Sequence, residues 1–92
     1  MLRFRTGRGM VELNDREADE LLLRLQQTPS TRAAAETISV LANAGTSVTL
    51  TNLEKTAVFE VLQAWLERDG GETMGRGATS LRDALAIDVA QP

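Results

Sequence analysis

Ser47-Val48-Thr49-Leu50-Thr51-Asn52-Leu53-Glu54 is the stretch that decides the fold. Ser47 to Leu50 alternate polar and apolar, the period of a half-buried strand. Thr51 with Glu54 three residues on is a capping box: a hydroxyl that accepts from an early helical N–H, and a carboxylate that reaches back. From there apolar residues recur at helical spacing through Trp65 and Leu66. A strand therefore feeds directly into a helix.

The same grammar occurs earlier. Val11-Glu12-Leu13-Asn14-Asp15-Arg16-Glu17 lies 37 residues before Val48-Thr49-Leu50-Thr51-Asn52-Leu53-Glu54, and the offset holds onward, with Leu21 meeting Val58, Leu22 Phe59, Leu25 Leu62 and Gln26 Gln63. This register predicts an internal β-α-α repeat, residues 10–44 and 47–87, with only two copies and hence a pseudo-dimer rather than a solenoid.

Working outward, Leu2-Arg3-Phe4-Arg5 and Met10-Val11-Glu12-Leu13 alternate around Thr6-Gly7-Arg8-Gly9, which reads as a β-hairpin whose terminal first strand is free to fray. Ala18, Leu21, Leu22 and Leu25 form one stripe of a helix from Asp15 to Gln27, and Pro29 ends it. Ser30 or Thr31 can cap a second helix to about Ala44, with Ala34, Ala35, Ile38, Leu41 and Ala42 inward and Gly45 as its stop. Ala57, Val58, Phe59, Val61, Leu62, Trp65 and Leu66 cover an arc of about 200° on the third helix. Such a helix is either central to the domain or covered on one side by a second subunit. Asp69 to Thr79 reads as a mobile Gly-rich loop. A short last helix starts near Ser80, with Leu81, Ala84 and Leu85 inward, and residues 88–92 read as a frayed tail.

The order is β-β-α-α-β-α-α. Two short-linked helices return the chain to the end where the second strand finished, so the third strand should run antiparallel to the second if they pair. The expected fold is α+β: a small antiparallel sheet of two or three strands, one face covered by three or four helices, in a single domain over residues 1–87.

Composition narrows function by exclusion. The chain of 92 residues has no cysteine and no histidine. Disulfides, cysteine zinc sites and thiol chemistry are excluded, and the commonest general base is missing. The net charge of −3 argues against a dedicated nucleic-acid or anionic-membrane binder. No apolar run is long enough to span a bilayer, and no apolar segment follows the N-terminal arginines as a secretory signal would require, so the expected location is the cytoplasm. Nine of the ten basic residues are Arg, which with abundant Ala and Leu suggests a bacterial source.

No constellation of catalytic residues stands out. Gly70 and Gly75 have P-loop spacing, but Arg76 stands for the lysine, Gly77 for the hydroxyl residue, and a helix precedes instead of a strand. The β-branched run after Gly45 rules out a recognition helix there. Carboxylates fall at helix starts or outward faces, not in pairs suited to hydrolysis or calcium. The expectation is a non-catalytic interaction or regulatory module, with no cofactor and no metal, that self-associates as a dimer through apolar helix surface at Leu23, Phe59 and Leu66. The alternative is an anion- or nucleic-acid-binding accessory protein using Arg3, Arg5, Arg8 and Arg76, the last aided by loop N–H groups. A small carboxylate-dependent enzyme is the third reading.

Overall fold

The computed structural model describes residues 2–27, 32–43 and 47–90. Its elements run β1 (Leu2–Thr6), β2 (Gly9–Leu13), α1 (Asp15–Gln27), α2 (Arg32–Asn43), β3 (Ser47–Thr49), α3 (Asn52–Asp69) and α4 (Gly71–Ala90). The fold is α+β, in the order that the patterning predicts. The expected helix stops at Pro29 and Gly45 and the cap at Ser30 or Thr31 lie outside the described residues.

The sheet differs from expectation. β1 is its central strand, with β2 antiparallel on one side and β3 parallel on the other. The third strand does run opposite to the second, but the two never pair, and the sheet is mixed rather than antiparallel. Phe4 explains the choice. It lies opposite Val11 in one neighbour and Val48 in the other, and is completely buried. One aromatic ring thus anchors both strand pairs beneath the helices. Leu13 and Val48 point the same way and are buried, whereas Arg3, Arg5, Met10, Glu12, Ser47 and Thr49 line the other face, exposed.

Both capping boxes form. Asn14 Oδ1 accepts from the Glu17 N–H at 2.8 Å, and Glu17 Oε1 accepts from the Asn14 N–H at 3.1 Å. Thr51 and Glu54 make the corresponding pair at the head of α3. Leu21 and Leu25 on α1 are buried, as are Val58 and Leu62 at the matching positions of α3. The likeness of the two segments lies in these junctions and their first turns. Beyond them the second helix of each segment is built differently, α2 unbroken over 12 residues and α4 kinked over 20.

α3 is the central helix, packed against α1, α2 and α4. That is what its wide apolar arc is for: Val58, Val61, Leu62 and Trp65 are buried, and Phe59 and Leu66 are half-buried against the same core. On α2, Leu41 is buried and Ile38 packs against the core as expected, and the side chains of Ala34 and Ala42 lie outside the described residues. Ala35 is exposed, while Thr37 is completely buried beside Leu41.

The expected Gly-rich loop is not a loop. α3 ends at Asp69, Gly70 caps it with φ +79° and an N–H donated to the Leu66 carbonyl at 2.9 Å, and α4 begins at once. α4 bends at Gly75, whose φ of +82° no side-chain-bearing residue adopts without strain. Asp88 to Ala90, expected to fray, belong to α4, and residues 91 and 92 lie outside the described residues.

Candidate functional site

Gly75 and Gly77 of α4 leave room for a carboxylate. Glu17, buried on α1, turns one oxygen to its own cap and the other to α4, where Oε2 accepts the Ala78 N–H at 2.7 Å. A methyl group at Gly75 would lie 2.7 Å from Glu17 Oε2. One at Gly77 would lie 2.8 Å from Oε1 and 2.5 Å from the Glu12 carbonyl oxygen. The second half of α4 starts after Gly75 with no capping side chain of its own, and Glu17 supplies the missing acceptor from 61 residues away. Thr79 Oγ1 donates to the Gly75 carbonyl at 2.8 Å and steadies the same turn.

Beside this cap lies a cleft of about 270 Å³ whose lining includes Arg16, Glu20, Arg24, Trp65, Asp69 and Met74. Three of its charged side chains, Glu20, Arg24 and Asp69, are joined to one another. The Arg24 guanidinium stacks over Trp65 at 4.7 Å from the ring centroid, donates to Glu20 at 2.8 Å and pairs with Asp69. The cluster fastens α1 to the end of α3. Of this cluster only Glu20–Arg24, an i, i+4 pair not singled out from the sequence, leaves a signal in sequence spacing.

At the far end of α4, Asp88 accepts the Gly7 N–H on both oxygens, at 3.1 and 2.9 Å, and pairs with Lys55 at 3.1 Å. The Gly7 N–H, chiefly, holds the Asp88 carboxyl below its ordinary value of 3.8, with Lys55 acting in the same direction. The hairpin turn is therefore tied to the helical layer.

The residues expected to bind an anion do not form one site. Arg3 and Arg5 share the open face of the sheet, as the alternation predicts, and Phe4 faces the opposite way. Arg3 is paired with Glu12 at 3.1 Å; Arg5 forms no ion pair among the described residues. Arg8 is in the exposed hairpin turn. Arg76 is on α4, where it faces β2 across a groove of about 420 Å³ whose lining includes Met10, Glu12, Gly77 and Ser80. The loop N–H groups expected to help Arg76 belong to a helix, and that of Ala78 is given to Glu17.

The residues expected to bind a partner are also dispersed in character. Leu23 is 47 % exposed, but Phe59 and Leu66 are half-buried in the core of their own chain. Among the described residues the other large exposed apolar side chains are Met10, Leu53 and Ile87, one each on β2, α3 and α4. No group of His, Cys, Asp and Glu among the described residues is placed to hold a metal ion, and no helix is long and apolar enough to cross a membrane. Comparison with known proteins finds no matching family model, no matching curated protein and no matching solved structure.

Proposed function

We propose that this protein is a non-catalytic cytoplasmic interaction module that meets an acidic protein partner on the open face of its sheet. The observation that carries the reading is the character of that face. Six side chains from three strands stand exposed on it, and Arg5 at its centre has no ion-pair partner among the described residues. With Arg8 in the adjoining turn, the local balance is three arginines against Glu12, opposite in sign to the chain as a whole. Complementary charge steers encounter and selects partners. Protein is favoured over nucleic acid because no aromatic ring lies among the arginines for a base to stack on. The carboxylates that are not exposed among the described residues are engaged: Glu17 and Glu54 in caps, Glu20 with Arg24, Asp88 with Gly7 and Lys55.

Poly-glutamate and a single-stranded oligonucleotide are the probes. Retention of poly-glutamate that falls as salt rises and is lost in an Arg3→Ala/Arg5→Ala double variant supports the reading. A double variant that binds like wild type overturns it, as does tighter binding of the oligonucleotide.

Self-association through the helical layer is the second reading, and Leu23 at 47 % exposure is the observation that favours it. Sedimentation at micromolar concentration decides it: a dimer that Leu23→Glu dissociates supports it, and a wild-type monomer excludes it.

A further inference from the structure

The backbone of β2 carries more than its side chains do. Thr6 and Gly9 close a two-residue turn, and such a closing pair exchanges both main-chain hydrogen bonds. Bonded pairs then alternate along the ladder. Phe4–Val11 and Leu2–Leu13 are bonded, while Arg5–Met10 and Arg3–Glu12 are not. The N–H and C=O groups of Met10 and Glu12 therefore point away from β1, off the edge of the sheet, where β2 has no further strand among the described residues. The close approach of Gly77 to the Glu12 carbonyl oxygen agrees with this direction.

Off that edge lies the groove between β2 and α4. One wall is Met10 to Glu12; the other is Arg76 and Ser80, one helical turn apart and both exposed. About 420 Å³ falls at the small end of ligand sites, which run from about 300 to 1,000 Å³. Its charges are unequally committed. Glu12 is paired with Arg3, and the Glu17 oxygens receive the Asn14 and Ala78 N–H groups, whereas Arg76 forms no ion pair among the described residues. A groove with an unpaired strand edge on one side and an uncommitted guanidinium on the other fits an extended peptide bearing a carboxylate.

We propose that a short extended segment of the partner adds to β2 as a fourth strand, bonding the Met10 main chain and directing an acidic side chain at Arg76. α4 covers the edge at Glu12, which stops the ladder from growing further and confines the docking to Met10. The inference rests on the interaction-module reading, but it uses Arg76 and the β2 edge where that reading uses Arg3 and Arg5.

The test is selection of short random peptides displayed with free C-termini, followed by amide exchange on the complex. Enriched peptides should share an Asp or Glu at one position, slow exchange at the Met10 amide, and bind Arg76→Ala at least about tenfold more weakly. Arg76 is exposed, and an unchanged thermal melt confirms that its variant folds. If no peptide is enriched, or if the enriched peptides leave Met10 exchange unchanged, the proposal falls. If Arg5→Ala loses the binding and Arg76→Ala does not, the groove is wrong while the open face stands.

Discussion

A buried carboxylate is costly unless every oxygen is met, and Glu17 is met from two helices. Removing it leaves the Asn14 N–H of one cap and the buried Ala78 N–H of another without acceptors. Each unsatisfied buried donor costs about 1–3 kcal/mol, whereas loss of an ordinary cap costs about 0.5–2. Glu17→Ala should therefore destabilise the fold more than Glu54→Ala, although both residues hold the same place in a capping box. Urea denaturation of the two variants compares them directly. Equal losses would mean that the Ala78 bond contributes nothing. Gly77→Ala tests the same packing from the other side, because its methyl would press on both Glu17 and the Glu12 carbonyl. A cost of about 1–3 kcal/mol is expected, as for other overpacked sites.

At the scale of elements, α4 is the part that joins the two layers. Its bend takes the Glu17 carboxylate and lies against the edge of β2; Arg82 Nε donates to Gln63 on α3 at 2.7 Å midway; Asp88 holds the hairpin turn near its end. Asp88 is the titratable link in this chain of contacts. Its folded-state pKa lies below the ordinary 3.8, so its contribution is complete above about that pH and disappears as pH falls through the lower folded value. Asp88→Asn removes the charge and should cost about 1.5–3 kcal/mol at neutral pH, the worth of a hydrogen bond to a charged group. Denaturation midpoints followed from neutral pH into acid should fall more steeply for wild type than for Asp88→Asn, with the two curves converging at the acid end. Parallel curves would show that Asp88 is not the group that titrates.

In the molecule as a whole, local physics was legible and partner choice was not. Alternation marked the strands, and two capping boxes placed the starts of α1 and α3, because each signal acts within a few residues. The inward positions of α3 and of the last helix followed from their spacing for the same reason. Which strand lies at the centre depends on contacts from Phe4 to Val11 and Val48, far apart in sequence, and a three-residue strand has almost no pattern from which to read its neighbour. The glycines at 75 and 77 suggested slackness when they meet a carboxylate from α1, a need invisible without knowing that α1 lies there. The candidate groove escaped notice similarly, since it depends on main-chain direction at Met10 and on the return of Arg76 to that edge. β1 gives the largest reversal. A strand expected to fray stands between two others and carries the completely buried Phe4. Losing it would unpair both neighbours and open the core, so its amides should exchange only by global unfolding. Phe4→Ala should cost about 3–5 kcal/mol, a large share of the roughly 5–15 kcal/mol available to a domain. Native-state hydrogen exchange decides the point: β1 amides should match the slowest in α3, while the outward-facing Met10 amide on β2 exchanges much faster. If Arg3 to Arg5 exchange as fast as the hairpin turn, β1 is not the strand that holds this sheet together.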